Sequence, residues 1–420
     1  MGCNIMKKII IAGASTYGVK NAGDDAMFNV LCETLKEEIP GVELVFLARH
    51  PNSKFDKVFG VRSIKNFEHN NREESLGRFF YGFNDGDDPK RLGLIKKEIE
   101  DSDFVVIGGN SFMEVSENEF LRGVSSYSST LAIMAKILGK PYVLYGVHGH
   151  PLKTDLTKSM ARFLCNNSEL VTLREDFYRE ELLKLGIKSN KLKTFADPAF
   201  GLNAIKDKEK GQKIIDEEGI KFNSKIVIGV CFRHMYWLWS DEDYNKYSAK
   251  MAELCDYAIE KIGAEILFIP NCTYNIDDIH EDDRLTCQFV KDQMRNKDKT
   301  HIIKADLELP GKLAMYSHLD MVLSNRRHVS TAAATHGVPF IAMSTGHMWQ
   351  FEPFMKRLNL DSQQLISFVD EDLNSMKKKI DYVWENKKEI KERIVKSMVE
   401  LKAIARGQTK EIINVIKGKK

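Results

Sequence analysis

The sequence predicts an α/β protein built from two Rossmann-like, doubly wound domains, and three observations support this prediction. Short apolar runs alternate with longer amphipathic segments, which is the pattern of a parallel sheet with crossover helices. The length of 420 residues exceeds what one hydrophobic core usually holds. A highly charged stretch at 206–210 interrupts the alternation. We therefore expect domains at 1–205 and 206–368, facing each other across a cleft, and basic C-terminal helices at 369–420.

The first domain is predicted to open with a buried strand, because an apolar run follows Lys7 and Lys8 and then breaks into a glycine-rich loop. Further apolar runs continue the alternation, with amphipathic helical patterns between several of them. The predicted strands are 9–12, 43–48, 104–107, 142–146 and 170–173, and the predicted helices are 26–37, 129–138 and 158–165.

A second alternation begins after the charged stretch. Its predicted strands are 225–231, 265–270, 301–304, 321–324 and 340–344, and its predicted helices are 244–262 and 285–295. Residues 369–406 have the pattern of one or two long helices that end near Gly407. Ligands bind such sheets beyond the carboxyl ends of the strands, so the loops after the strands are the candidates for a site.

Composition narrows the class of protein. The seven cysteines are scattered and form no C-x-x-C pair, which disfavours a disulfide framework or a structural zinc site and favours a reducing cytoplasm. No apolar run approaches the roughly 20 residues of a membrane span. Residues 376–420 hold 14 Lys or Arg against six Asp or Glu. This basic C-terminus predicts either a loose peripheral contact with anionic phospholipid or a solvated helix face; nucleic-acid binding receives no support.

Two glycine-rich loops follow predicted strands of the first domain. The first contains Asn21, Gly23 and Asp24, and the second contains Gly108, Gly109, Asn110 and Ser111. Glycines let backbone amides approach an anion or a sugar, and a helix N-terminus favours negative charge. The two loops therefore predict a shared ligand wall. A strand-to-helix turn capped by Asp24 is the alternative for the first loop.

The second domain carries a cationic cluster. Arg326, Arg327 and His328 close one predicted strand, and Arg233 follows another. Guanidinium groups are costly to bury without an anion and recognise carboxylate or phosphate in a bidentate manner. This cluster predicts an anion pocket, with a surface ion-pair cluster as the alternative. The acidic run 277–283 is interpreted as a helix start, with a divalent-cation site as the alternative, and no metal is needed by the predicted function.

In their order along the chain, these motifs resemble those of the polysaccharide pyruvyl transferase family. The matching pieces are Asn21-x-Gly23-Asp24-x-Ala26, Gly108-Gly109-x-Ser111-Phe112, Leu173-Arg174-Glu175-Asp176, Leu182-x-x-Leu185-Gly186, Asp197-Pro198-Ala199-Phe200, Cys231-Phe232-Arg233, and Arg326-x-His328 followed by Gly337-Val338-Pro339-Phe340-Ile341.

The resemblance implies a fold similar to that of GT-B glycosyltransferases and the transfer of pyruvyl from phosphoenolpyruvate to sugar hydroxyls as a ketal. It implies that Arg233 and Arg326 hold the donor and that His328 is the general acid, by analogy with the family's Arg-Leu-His motif. Phosphoenolpyruvate is then a substrate, and no cofactor is expected. Arg327 stands where the family usually has Leu, Asn110 replaces a glycine, and 344–347 depart from the family pattern.

We expect this enzyme to act in cell-surface polysaccharide biosynthesis, in the cytoplasm or at the inner face of the membrane. Its acceptor would be a lipid-linked or nucleotide-linked saccharide, with Asp24, Asp25 and Asp197 as candidates for the acceptor base. Two other functions stay open. One is a GT-B-type glycosyltransferase that uses a nucleotide sugar, and the other is a non-catalytic relative that binds an anion or a glycan.

Overall fold

Two parallel sheets carry the fold in the part of the chain that the computed structural model describes. The described residues are 8–13, 21–69, 74, 80–109, 123–149, 152–236, 238–273, 282–346 and 348–418. All strand pairs in both sheets are parallel, and helices lie between successive strands. The predicted α/β class is confirmed.

The first sheet and its helices span residues 8–194. Its strands are β1 (Lys8–Gly13), β2 (Glu43–Ala48), β3 (Arg62–Lys65), β4 (Phe104–Gly108), β5 (Tyr142–Val147), β6 (Val171–Leu173) and β7 (Leu192–Thr194). Its helices are α1 (Ala22–Glu38), α2 (Ser53–Phe59), α3 (Lys90–Glu100), α4 (Gly123–Ile137), α5 (Asp155–Asn167) and α6 (Asp176–Lys184). The strand order is β3-β2-β1-β4-β5-β6-β7.

The second sheet and its helices follow. The strands are β8 (Val227–Cys231), β9 (Glu265–Phe268), β10 (Thr300–Ile302), β11 (Met321–Ser324), β12 (Phe340–Ser344) and β13 (Leu365–Ser367). The helices are α7 (Lys208–Glu217), α8 (Asp241–Ile262), α9 (Asp283–Gln293), α10 (Leu309–Ala314), α11 (Arg327–His336), α12 (Met348–Arg357), α13 (Leu373–Glu385) and α14 (Lys387–Lys417). The strand order is β10-β9-β8-β11-β12-β13.

Each sheet reverses its winding direction once, which fixes where a ligand site can form. The reversal lies between β1 and β4 in the first sheet and between β8 and β11 in the second. At such a switch point the loops that leave two adjacent strands diverge and open a crevice at the carboxyl edge.

Burial explains why the central strands were readable from sequence. In β1 the side chains of Ile9, Ile10 and Ile11 are fully buried, as expected for a parallel strand covered on both faces. The strands that sequence analysis missed are β3, β7 and β13, and all three lie at sheet edges. These strands have only three or four residues, so their pattern is weak.

The structure divides the chain differently from the predicted domains. The first compact unit contains β1, Asp24–Gly201 and the chain from Ala403 onward, and the second contains 21–23 and Leu202–Lys402. The boundary at 201 lies close to the predicted 205. The C-terminal helices form no unit of their own, because they are packed into the other two.

Helix α14 also runs further than predicted, passing through Gly407 to Lys417. The side chains of Gln408, Ile412 and Ile413 are buried beyond that glycine. Glycine inside a helix costs roughly 1 kcal/mol relative to alanine, which this burial outweighs. None of the helices in the described residues combines the length and hydropathy needed to span a bilayer.

Candidate functional site

The switch point of the second sheet is built from the loops that leave β8 and β11. Arg233 lies two residues beyond β8, and Asn325 follows β11 directly. The side-chain amide of Asn325 accepts from the Arg233 N–H at 2.8 Å and donates to the Arg233 carbonyl oxygen at 2.9 Å. Paired hydrogen bonds therefore fix the backbone of Arg233 to the neighbouring loop.

Arg326 is buried and has a counterion of its own. It is the N-cap residue of α11, and its Nη2 lies 2.5 Å from Oδ1 of the buried Asp283, the first residue of α9. Burial opposes the guanidinium charge, but the Asp283 carboxylate outweighs it and raises the pKa of Arg326. Arg326 therefore has a counterion within the protein, supplied by α9, and the anion pocket stays a prediction.

Arg233 interacts electrostatically with Arg326. Burial and the positive charge of Arg326 together lower the pKa of Arg233 to about 10. Arg233 as a residue keeps partial exposure, whereas its Nε is buried. A guanidinium whose charge is disfavoured by a second cation gains most from an anion that binds beside both.

Asp283 also positions the loop that follows β9. Its Oδ2 accepts from the backbone N–H groups of Asn271 at 3.0 Å and Cys272 at 2.8 Å. From the other side, the buried Lys312 of α10 donates to the Asn271 carbonyl oxygen at 2.9 Å and to the Thr273 hydroxyl at 3.1 Å. The loop after β9 is thus held by one carboxylate and one ammonium.

The predicted residue Asn21 joins the same network. It forms an antiparallel bridge with Cys272, and the Ala22 N–H donates to the Asn271 carbonyl oxygen at 3.1 Å. The Asn21 side-chain oxygen accepts from Asn271 Nδ2 and from the Gly23 N–H, both at 3.0 Å. These contacts explain why 21–23 belong to the second unit although Asp24 belongs to the first.

The predicted residues Gly23 and His328 are in direct contact. A Cβ atom at Gly23 would lie 2.7 Å from Cβ of His328 and closer still to its imidazole ring. His328 is the second residue of α11, in the turn that Arg326 caps. The absence of a side chain at Gly23 therefore gives the imidazole its place.

Arg327 is directed elsewhere. Its guanidinium carbon lies 5.5 Å from the ring centroid of Phe354 in α12, a cation–π distance. Arg326 instead contacts Asp283 of α9. The two neighbouring arginines therefore make contacts with different helices, and Arg327 is the weaker candidate for anion binding.

The predicted ligand wall of the first unit is described only in part. Asp24 is buried in the first turn of α1. Gly108 ends β4, and a Cβ there would lie 2.7 Å from the ring of Phe28, so its smallness serves packing. Gly109 has φ +79°, which favours glycine. Asn110 and Ser111 lie outside the described residues.

Two further motifs meet inside the first unit. Arg174 Nη1 lies 3.1 Å from Asp197 Oδ2, both groups are buried, and Arg174 Nε donates to the Gly146 carbonyl oxygen at 2.6 Å. Asp197 Oδ1 accepts from the Ala199 N–H at 3.0 Å. Asp197 is thus held in a buried ion pair, which argues for a structural role and against its use as the acceptor base.

Asp283 and Asn325 are the site residues that sequence reasoning missed. Asp283 belongs to the acidic run that was interpreted as a helix start, and this is confirmed for its described end, where Asp282 caps α9. At the sequence level, the preference of helix N-termini for acids already accounts for Asp283, so the sequence gives no sign of its ion pair with Arg326. Asn325, next to the arginines, was readable only as a loop residue.

The fold and the arginine-rich switch point together define a two-domain α/β protein of the GT-B type. The chain belongs to the polysaccharide pyruvyl transferase family, whose model matches residues 21–347. The predicted family is therefore confirmed. The chain is 23% identical over 434 residues to the amylovoran biosynthesis protein AmsJ of Erwinia amylovora. This match covers 97% of this chain and 100% of that protein.

Solved structures support the fold. The UDP-GlcNAc 2-epimerase from Neisseria meningitidis bound to UDP-GlcNAc matches with a TM-score of 0.61 at 12% identity, covering 97% of this chain and 99% of that chain. The UDP-GlcNAc 2-epimerase from Methanocaldococcus jannaschii matches with a TM-score of 0.57 at 15% identity, covering 90% and 93%. At such low identity the likeness concerns the fold alone.

Proposed function

We propose that this chain transfers the pyruvyl group of phosphoenolpyruvate to two hydroxyls of a saccharide, forming a ketal during polysaccharide biosynthesis. The observation that carries the proposal is the placement of Arg233 and Arg326 on adjacent loops of one switch point, with His328 in the turn that Arg326 caps. Phosphoenolpyruvate carries a carboxylate and a phosphate close together and suits a site with more than one fixed guanidinium.

The proposed chemistry balances without a cofactor. The imidazolium of His328 protonates the methylene carbon of the donor, and the adjacent carbon becomes electrophilic. A first sugar hydroxyl adds to that carbon, the bond to the phosphate oxygen breaks, and a second hydroxyl adds to complete the ketal. Of the two hydroxyl protons, one restores the imidazolium and the other leaves with the phosphate.

Arg233 is the better residue for testing donor binding, because removing Arg326 would strand the buried Asp283 carboxylate. Calorimetric titration with phosphoenolpyruvate should give saturable binding that Arg233→Gln weakens at least tenfold. Arg327→Leu, which restores the usual family residue, is the matched control and should bind within about threefold of the parent protein.

Two outcomes would contradict the proposal. If Arg233→Gln binds phosphoenolpyruvate as well as the parent, the donor does not lie at this switch point. If a uridine or guanosine diphosphate sugar binds and phosphoenolpyruvate does not, the chain acts as a nucleotide-sugar glycosyltransferase. Release of phosphate with a saccharide acceptor, lost in His328→Gln, would separate the enzyme from a relative that only binds.

We also propose a cytoplasmic reaction at the inner face of the membrane, on a lipid-linked acceptor. Exposed residues of α14 support the membrane contact: Lys391 and Lys396 alternate with Val395, which is 50% exposed, and Val399, which is 76% exposed. Basic and apolar side chains on one helix suit an anionic interface. The six described cysteines are buried free thiols, in keeping with a reducing compartment.

Sedimentation with anionic vesicles tests this contact. Replacing the exposed lysines 388, 391 and 396 of α14 with Gln should reduce vesicle binding at low salt several-fold. Replacing the exposed lysines 208, 210 and 213 of α7 with Gln is the matched control and should not reduce it. Equal loss in both variants would mean that only overall charge matters, and unchanged binding in both would remove α14 from the proposal.

A further inference from the structure

A second group of cations lies in the first unit, remote in sequence from the switch-point arginines. Arg49 follows β2 directly, Lys65 is the last residue of β3, and Arg91 lies in the first turn of α3. Ala48 and Lys65 are partners in the parallel register, so Arg49 and Lys65 leave adjacent strands at the same edge. The Lys65 ammonium donates to the Arg49 carbonyl oxygen.

Glu68 orients this group. Arg49 Nη2 lies 3.2 Å from Oε1 of the buried Glu68, whose other oxygen accepts from Asn66 Nδ2 at 2.8 Å. The Glu68 N–H donates to Asn66 Oδ1 at 2.9 Å. The carboxylate is therefore locked to its own loop, and it holds the Arg49 guanidinium in one orientation.

Positive charge dominates at Lys65. Its pKa is lowered to about 8, first by burial and then by the charges of Arg91 and Arg49; Glu68 and Glu74 oppose this shift with smaller effects. The side chain keeps partial exposure. A half-buried ammonium disfavoured by two guanidiniums is stabilised when an oxyanion arrives, because each cation gains the same counterion.

Tyr81 prepares Arg91 for such a ligand. The guanidinium carbon of Arg91 lies 3.5 Å from the centroid of the Tyr81 ring, and the Tyr81 N–H donates to the Phe67 carbonyl oxygen at 2.7 Å. Stacking fixes the plane of the guanidinium and leaves its N–H groups pointing along that plane. This is the geometry in which arginine binds phosphate oxygens.

We propose that Arg49, Lys65 and Arg91 form a binding site for a diphosphate group. A carboxylate needs one guanidinium, whereas three cations from separate elements suit a ligand with several negative oxygens. Sugar carriers of both kinds, nucleotide and polyprenyl lipid, attach their saccharide through a diphosphate. The assignment of this site to the carrier of the acceptor rests on the proposed function, while the diphosphate site itself does not.

Calorimetric titration with inorganic pyrophosphate tests the site. The background variant Arg233→Gln weakens the switch-point site, so the remaining binding reports on the first unit. We expect Lys65→Gln together with Arg91→Gln to weaken this binding at least tenfold. The matched control, Lys96→Gln with Lys97→Gln, removes two charges from exposed positions of α3 and should leave affinity within twofold. Thermal unfolding of both double variants checks that they are folded.

Equal affinity of the two double variants would overturn the proposal, as would the absence of pyrophosphate binding in the Arg233→Gln background. Uridine diphosphate and farnesyl diphosphate then distinguish the carriers, since either one binding more tightly than pyrophosphate supports the site and identifies the group attached to it. If pyrophosphate binds here but phosphoenolpyruvate is not consumed, the site stands and the proposed function fails. If ketal formation proceeds with an unchanged acceptor KM in Lys65→Gln with Arg91→Gln, the function stands and the assignment to the acceptor fails.

Discussion

At the scale of single residues, the imidazole of His328 depends on what Gly23 lacks. The ring occupies the space that a Cβ at Gly23 would need. Glycine is usually explained by its backbone freedom, but no left-handed conformation is recorded at this position. Gly23 is required because it leaves space for the imidazole of His328, the proposed general acid. Adding one methyl group at Gly23 should therefore reduce the reaction rate more than it reduces the stability of the fold.

Gly23→Ala should lower kcat for ketal formation at least tenfold, because the added methyl displaces His328. The overpacking should cost about 1–3 kcal/mol of stability. Gly93→Ala is the control, since Gly93 lies in α3 with open space where its Cβ would be. Steady-state kinetics and urea unfolding provide the two readouts, and a Gly23→Ala enzyme with normal kcat would contradict the assigned role of the contact.

Asp283 has two structural roles, one for each of its carboxylate oxygens. One carboxylate oxygen pairs with Arg326 while the other accepts two backbone N–H groups of the loop after β9. Removing one partner of a buried ion pair costs about 3–5 kcal/mol, because the remaining charge has no counterion. The proposed donor could replace part of that lost charge.

Asp283→Asn should therefore lower the free energy of unfolding by about 3 kcal/mol. Phosphoenolpyruvate should raise the Tm of this variant by more than it raises the Tm of the parent. Asp282→Asn is the neighbouring control, since asparagine still caps α9 and the bidentate pair that is lost is with Arg284 and not with Arg326. Phosphoenolpyruvate should raise the Tm of this control no more than it raises the Tm of the parent. Equal stabilisation of the parent and Asp283→Asn would show that the ligand does not bind beside Arg326.

At the scale of elements, residues at both ends of α11 contact neighbouring segments. Arg326 caps its start, and His336 near its end joins the helix to the segment that precedes α7. His336 Nδ1 donates to the Ala332 carbonyl oxygen at 2.7 Å, and Nε2 accepts from the Ile205 N–H at 3.1 Å. One donor and one acceptor require a neutral ring. Burial, and then the charge of Lys206, lower the pKa of His336.

This arrangement predicts a pH dependence of stability. Below its ordinary pKa of 6.5, His336 takes up a proton in the unfolded chain but not in the folded one, so stability falls as pH decreases from that value. His336→Gln should fall less steeply between pH 6.5 and 5, by up to about 1.4 kcal/mol per pH unit. Urea unfolding at several pH values measures this, and identical slopes would contradict the neutral-ring interpretation.

At the scale of the whole molecule, α14 belongs to both compact units. Its residues up to 402 are part of the second unit, and those from Ala403 are part of the first. Within the first unit, Gln408 Nε2 donates to the Ala196 carbonyl oxygen at 3.0 Å, and Gln408 Oε1 accepts from the Thr172 hydroxyl at 3.1 Å. The last turns of α14 thus pack in the first unit against segments more than 200 residues away in sequence.

Truncation after Lys402 should consequently unfold the first unit. Burial of Ile412, Ile413 and Ile416 contributes about 1.5–3 kcal/mol each, which approaches the 5–15 kcal/mol that stabilises an ordinary domain. Removal of 418–420 alone should have no effect. Thermal unfolding and limited proteolysis report on both, and a truncated chain with an intact, cooperative first unit would contradict this account.

The sequence by itself determined the two-sheet α/β class and most central strands, because strands buried on both faces are continuous apolar runs such as Ile9, Ile10 and Ile11. It also determined the order of motifs that assigns the family. Strands such as β3 and β13 escaped, because four or three residues are too few to show a clear period.

Only the tertiary structure decided which polar residues act together. The partnership of Arg326 with Asp283, the clamp from Asn325 to Arg233 and the contact of Gly23 with His328 join residues 43, 92 and 305 positions apart. The local sequence pattern indicates which side chains of a segment are buried. Ion-pair partners and the space beside a side chain depend on which segments pack against each other in the folded protein. The same reason placed Gly407 inside α14, since the burial that sustains the helix beyond it comes from a core far away in sequence.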